Sequence, residues 1–342
     1  MSTMRQVAAA AGVSQKTVSR VFNDDPHVLP ETRARVHAAM RELDYTPNSL
    51  ATTFRAGRAP VIGVAVPDVV DPFFGAIARA VDATAAKHDM SALVTSIGDD
   101  PDREPSIVDS LLRRAPSGLV LASVRPEQTY LKPWVQKLPI VFVDRAPSGL
   151  TVDSFIDDDV GGARIATLDL VSHGHRRIAF FGDHLSLPTT AGRLSGYREA
   201  LVRSGLEPDE ELVALHVTDR ASAAHQMNRL MGLAQPPTAV FSSNGRVSMA
   251  LVPVLRALPV DIVSFGDFPL ADVLTTPLTT IDQDPVQVGT LAAERVLDRI
   301  NFPQRRFKRS TVLKVSLLER ESCHRHVPAA VSRRRSSTRA TR

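Results

Sequence analysis

Gln15, Lys16, Ser19 and Arg20 sit close together in the sequence, and Gln15/Ser19 and Lys16/Arg20 are i,i+4 pairs. On a helix, that spacing turns an amide, an ammonium, a hydroxyl and a guanidinium to one side. These donors and acceptors suit the base edges of a DNA major groove, where an arginine fork donates twice to guanine. The competing reading makes Lys16 and Arg20 ordinary solvated charges.

The elements that would present this face can be read from their neighbours. Thr3 and Gln6 spell a T-x-x-Q capping box, which satisfies free amides in a first helical turn. Val7, Ala8 and Ala11 follow as a narrow apolar stripe at helical spacing. Gly12 can take the left-handed backbone that ends a helix, and Ser14 is a natural N-cap for the next. The turn Gly12-Val13-Ser14 therefore joins two short helices, with Val18 and Val21 of the second packing inward. Pro30, a favoured first helical residue, opens a third helix expected to bury Val36, Met40 and Leu43. So small a unit needs all three helices to enclose a core.

Val7-Ala8, Ala11-Gly12-Val13-Ser14, Thr17-Val18-Ser19-Arg20-Val21, Thr32-Arg33 and Tyr45-x-Pro47-Asn48 together resemble the lactose/galactose repressor family of bacterial regulators. The likeness continues to about Arg325. It implies an all-α helix-turn-helix head over residues 1–45, a hinge helix and linker over 46–59, and a two-lobed α/β core like periplasmic binding proteins over 60–326. The terminal arginines, in turn, read as a disordered basic tail over 327–342. The resemblance makes Gln15, Lys16 and Arg20 the readers of bases in double-stranded operator DNA. Thr3, Ser14, Thr17, Ser19 and Asn48 are the expected holders of phosphate oxygens, which fix register without reading sequence.

Pro47 and Asn48 begin a segment too short to stay helical alone in water. By the resemblance, two such hinges pair at the axis of a homodimer and fold on DNA. Each then pushes an apolar side chain into the minor groove, a wedge that costs a few kcal/mol per base step and is repaid by contacts in the bent duplex. Phe54 holds the wedge position here, where relatives usually carry leucine, and Ala51 lies one turn before it. The plainer alternative packs Phe54 against the following domain.

Beyond residue 60, short apolar runs alternate with helical stretches. Strands are expected at Val61–Pro67, Ala92–Ser96, Gly118–Ala122 and Ile140–Val143, with helices at Phe73–His88 and Arg103–Arg114 and a weaker one near Thr129–Gln136. A second set follows at Val152–Ile156, Arg177–Gly182, Leu212–His216, Ala239–Ser242 and Asp261–Phe265. Such alternation predicts parallel sheets covered by helices on both faces, here in two lobes. Ligand is expected at the carboxyl ends of the strands. Leu278–Asp282, the helix Val286–Ile300 and Val312–Leu318 are expected to cross back between lobes.

Carried over by motif, the family's effector contacts fall on Asp71 and Phe73 in Asp-Pro-Phe-Phe, Asp144 after Phe142-Val143, and Arg193 in Arg-x-x-Gly196-Tyr197. Asn244 and Gly266 complete the set. Three departures alter the pocket. Asp71 replaces the usual Asn, Asn244-Gly245 replaces Asn-Asp, and Ser-Phe-Gly266-Asp replaces Gly-Phe-Asp-Asp. Asp267 stands one position late, so its side chain should point elsewhere. The expected effector is a sugar or related metabolite in a modified pocket; a changed or lost effector response is the alternative.

Composition bounds the rest. The 342 residues carry 23% charged and 43% hydrophobic side chains, ordinary for a globular chain of several domains. The net charge of +4 owes much to the arginines from Arg333 to Arg342 and says little about nucleic acid by itself. A single cysteine fits a reducing cytoplasm. No apolar run is long enough for a signal or a membrane span, so the expected location is cytoplasmic with no membrane partner. Asp157-Asp158-Asp159 reads as a helix-opening turn favoured by free amides rather than a metal site. His173-Gly174-His175 matches a family turn. Cys323-His324-x-His326 is too short to close a zinc site without further ligands. Without a G-x-S-x-G elbow, an H-E-x-x-H helix or a Walker loop, no enzyme and no cofactor are expected. A cytoplasmic small-molecule binding module is the rival class, but it leaves the first 58 residues unexplained. Lacking a leucine heptad of the tetramer-forming sort, the chain is expected to act as a dimer.

Overall fold

The computed structural model describes residues 3–22, 25, 27–44 and 59–323. Two compact units meet in sequence at Ala59 and Pro60. The first contains α1 (Met4–Ala10), α2 (Gln15–Phe22) and α3 (Pro30–Glu42). Its capping box forms as the sequence predicts: the Gln6 amide donates to Thr3 Oγ1 at 3.3 Å, and the Thr3 amide donates to Gln6 Oε1 at 2.8 Å. Gly12 closes α1 at a φ of 63°, and the Thr17 amide donates to Ser14 Oγ at 3.1 Å, capping α2. Val7, Ala8, Ala11, Val18, Val21, Val36 and Ala39 are buried together. Met40 and Leu43, expected inside, only pack against this core. Ala39, on the same helix, is buried there.

The second unit holds two sheets, each six-stranded among the described residues. The first lobe contributes β1 (Ala59–Val66), α4 (Pro72–Ala86), β2 (Ser91–Ser96), α5 (Glu104–Leu112), β3 (Pro116–Leu121), β4 (Ile140–Val143) and β5 (Asp153–Asp157). The second follows with α6 (Asp159–Ser172), β6 (Ile178–Phe181), α7 (Pro188–Arg203), β7 (Val213–Ala214), α8 (Arg220–Met231), β8 (Ala239–Ser242), α9 (Gly245–Leu255), β9 (Asp261–Phe265) and β10 (Thr279–Asp282). The chain returns through α10 (Pro285–Asn301) to β11 (Ser310–Leu313) and then β12 (Ser316–Leu318). The sheet orders are β11-β5-β4-β3-β1-β2 and β12-β10-β9-β8-β6-β7. Pairing is parallel, as in Ile62 opposite Ala92 and Val240 opposite Ile262, except that β12 runs antiparallel to β10. Within each lobe the first five strands follow the order 2-1-3-4-5, which opens a crevice beyond the strand ends where the order reverses.

Strand residues alternate between two apolar layers. Val64, Val66 and Val120 face one core of the first lobe, while Ala65, Leu119 and Leu121 face the other. In the second lobe Phe181 and Phe180 divide the same way. Near-continuous apolar strands are what a sheet covered on both faces requires.

Three expected elements differ. The strand Leu212–His216 contracts to Val213–Ala214, because a 3₁₀ turn closes at Leu212 and His216 takes a left-handed φ of 61°. Around Thr129 there is one 3₁₀ turn, Thr129–Leu131; Pro133 supplies no amide to extend it. Val312–Leu318 is two strands in different sheets, β11 beside β5 and β12 beside β10, so the chain changes lobe at Lys314-Val315. The acidic triplet also divides: Asp157 ends β5, Asp158 caps α6 by accepting from the Gly161 amide at 2.9 Å, and Asp159 lies in the helix.

Candidate functional site

The head exposes Ser14, Gln15, Lys16 and Arg20, while Thr17 and Ser19 are half-buried beside them and Val18 is buried behind. One residue the sequence did not single out organises the far end of this face. Asp25 accepts from Arg20 Nε at 2.7 Å and from the His27 amide at 2.9 Å. The Arg20 hydrogen bond holds the Asp25 carboxyl well below the usual carboxylate range. The Asp25 carbonyl accepts from Arg33 Nη2 at 2.9 Å, tying the turn to α3. Thr3 Oγ1 is engaged in its cap, and Ser14 Oγ lies 2.9 Å from Thr17 Oγ1. Asn48, Ala51 and Phe54 fall outside the described residues.

In the core unit, the crevice between the two lobes is lined almost entirely from the carboxyl ends of strands. Asp71 and Phe73 follow β1, Asp144 and Arg145 follow β4, Asp183 follows β6, Asn244 follows β8 and Gln283 follows β10. Asp71, Phe73, Asp144, Arg193 and Asn244 therefore meet in one cleft although 173 positions separate the first from the last. Asp71 caps α4 through the Phe73 amide at 3.0 Å, and burial pushes its carboxyl above the ordinary range. Asp144 sits at a left-handed φ of 65° with Arg145 Nε 3.2 Å from its Oδ2.

Arg193 is buried in the cleft wall. It is 4% exposed, donates from Nε to Asp159 Oδ1 at 2.7 Å and from Nη1 to the Ser243 carbonyl at 2.6 Å, and lies 3.8 Å above the Phe265 ring. This placement depends on Gly196 one turn later, where a Cβ would run into the Val160 carbonyl and force α7 away from α6. Tyr197 fixes the same helix by donating to the Ile178 carbonyl at 2.7 Å.

Gly266, expected to face the effector, does not itself line the cleft. Its φ is 88°, and a Cβ there would come within 2.8 Å of Gln283 Oε1. Gln283 fills the wall instead and donates to Asp157 Oδ2 at 2.8 Å. Burial raises Asp157 to about 7 and Asp159 to about 6. Asp267 does point elsewhere, gripped by both terminal nitrogens of Arg320 at 2.9 and 2.8 Å. Asn244 caps α9 through the Val247 amide and donates to Asp183 Oδ2 at 3.1 Å. Asp183 also takes the Thr190 hydroxyl. Arg246 reaches across the crevice to Asp99 Oδ2 at 2.7 Å, joining the lobes. Asp183, Arg246 and Gln283 were not singled out in the sequence. Their only mark there is a place just after an expected strand.

A three-helix head with an exposed polar recognition face, joined to a two-lobed crevice protein, defines a DNA-binding regulator with a small-molecule sensing body. Comparison with known proteins gives the family. "Bacterial regulatory proteins, lacI family" matches residues 3–48, and "Periplasmic binding proteins and sugar binding domain of LacI family" matches residues 59–321. The chain belongs to the LacI family of transcriptional regulators. It is 31% identical to the HTH-type transcriptional regulator GalS of Salmonella typhimurium over 304 residues, covering 87% of this chain and 89% of that protein. It is 30% identical to the ribose operon repressor of Escherichia coli over 331 residues, covering 94% and 100%. Among solved structures it resembles a lac repressor dimer bound to operator and the anti-inducer ONPF, with a TM-score of 0.81 and 26% identity over 94% of this chain and 99% of that one. Among the described residues, no helix is long and apolar enough to cross a membrane.

Proposed function

We propose that the chain is a cytoplasmic repressor that binds a two-fold symmetric operator as a homodimer and is controlled by a polyhydroxylated metabolite in the interlobe cleft. The observation that carries this is the exposed row Gln15, Lys16 and Arg20 on a helix capped and aimed by the Gly12–Ser14 turn. Gln15 and Lys16 choose bases at the start of the helix, and Arg20 reads one further on. Ser14, Thr17, Ser19, Thr3 and Asn48 hold phosphates. Residues 1–45 form the reader, 46–59 the hinge with Ala51 and the wedge Phe54, 60–326 the sensor and dimer surface, and 327–342 a basic tail. With regulators as its relatives and binding as its chemistry, the protein has no turnover in this account.

Sugar recognition is supported by the relatives' names and by the cleft's chemistry. Carboxylates of Asp71 and Asp144 accept from hydroxyls, Arg193 donates to them, and Phe73 offers a ring for a sugar face. With Nε and Nη1 already bound, Arg193 keeps its orientation before ligand arrives; such preorganisation lowers the cost of binding. The Gly266–Gln283 wall presents an amide where relatives present an acid. The ligand therefore differs from those of its sugar-binding relatives at the group meeting that wall. A metabolite screen by thermal shift on the intact protein tests the reading. An effector found there should lose at least about tenfold in affinity with Arg193→Ala, given roughly 1.5–3 kcal/mol for a hydrogen bond to a charged group. An unchanged response in that variant would remove Arg193 from the site.

A further inference from the structure

Away from the cleft, the second lobe brings together three side chains that neither the recognition helix nor the cleft uses. Asp169 and His173 lie one turn apart near the end of α6, and Cys323 packs against the same helix after the last strand. One carboxylate oxygen, one imidazole nitrogen and the sulfur lie within 4.8 Å of one another. His173 Nδ1 lies 2.9 Å from the Asp169 carbonyl and 3.8 Å from Asp169 Oδ2, which leaves Nε2 as the nitrogen for a ligand, and Cys323 Sγ lies 3.3 Å from Thr279 Oγ1. Neighbouring His175 is not part of this group: its ring is placed between Thr238 Oγ1 at 2.9 Å and Asp261 Oδ2 at 3.1 Å. In sequence, Cys323 is followed by His324 and His326, a run too short to close a site by itself. The fold brings Asp169 and His173 to that cysteine instead.

We propose that Asp169, His173 and Cys323 form a zinc site that staples the segment after β12 to α6. The donor set is oxygen, nitrogen and sulfur, which a borderline-soft tetrahedral ion accepts. Metal–ligand bonds of roughly 2.0–2.3 Å place tetrahedral ligands about 3.3–3.7 Å apart, so the three atoms close on the ion by about 1 Å. Charge also balances: the thiol releases its proton to solvent, and the thiolate and carboxylate neutralise the dication while imidazole stays neutral. Binding therefore displaces the thiol proton, and affinity falls as pH falls.

The test uses the full-length, tag-free protein titrated with cobalt(II), whose thiolate charge-transfer absorption reports sulfur ligation, and with zinc against a chromophoric chelator. The expected result is one ion per chain, a thiolate band, and a higher melting temperature with zinc. Cys323→Ala should abolish the band. His173→Ala and Asp169→Asn should each weaken zinc by at least about a hundredfold, since even outer-shell losses reach that size. The half-buried His173 keeps the test available if the cysteine variant folds poorly. A His324→Ala/His326→Ala double variant should retain the band. No thiolate band, a band unaffected by both His173→Ala and Asp169→Asn, or a band lost only with the two tail histidines would overturn the assignment.

Discussion

Arg20, the proposed base reader, is held in one orientation by its neighbour. Asp25 takes its Nε at 2.7 Å, and a bond at that nitrogen leaves the two terminal nitrogens as the fork that guanine O6 and N7 accept. The pair is largely exposed, so its role is orientation rather than stability. Arg20→Ala should cost about 1–3 kcal/mol and relax preference at one base pair of the half-site. Measured against a panel of single-base operator variants, a uniform loss at all positions would reassign Arg20 to phosphate. Exchanging Gln15 and Lys16 should instead change which operator wins, and the same panel reads that switch. The exposure of Gln15, Lys16 and Arg20 on one helix was legible in the sequence because i,i+4 spacing needs only local geometry. Asp25 was not, since its importance depends on Arg20 and Arg33 arriving from two helices. Gln283 likewise gains its place only when β9 and β10 lie side by side, with glycine at position 266.

Elements set the electrostatics of the cleft. Packing α7 on α6 carries Arg193 to Asp159, and the β5–α6 passage between lobes leaves Asp157 and Asp159 away from water. For an acid raised by burial, the fold favours the protonated form. Its contribution is complete below the unfolded carboxylate range and is lost as pH rises through about 7 for Asp157 and about 6 for Asp159. The stability of the core should therefore fall between pH 4 and 7, by at most about 1.4 kcal/mol per pH unit for each proton. Asp157→Asn should flatten that slope in melts across pH 4 to 8; an unaltered slope would place the titration elsewhere. Long apolar strands and the helices between them could be read from pattern, and both lobes were. Short or divided elements could not. The apolar run at 312–318 continues across a change of sheet, and hydropathy does not register which sheet a strand joins.

At the scale of the molecule, reading and sensing are separate tasks performed by separate units. Coupling between such sites is typically 1–3 kcal/mol, enough to move operator occupancy several-fold. The Arg246–Asp99 pair aligns the lobes but is half-exposed, worth about 0–1 kcal/mol; the ligand itself must supply most of the bias. The proposed hinge wedge predicts that Phe54→Ala weakens operator binding and reduces DNA bending, measured by circular-permutation mobility. Normal bending would exclude the wedge. One measurement addresses the central claim most directly: selection of duplexes from a random library by the purified full-length protein at physiological salt. A single two-fold symmetric sequence should emerge, bound at least about a thousandfold more tightly than random competitor. Recovery of no preferred sequence, or of one without symmetry, with and without metabolites, would contradict the account.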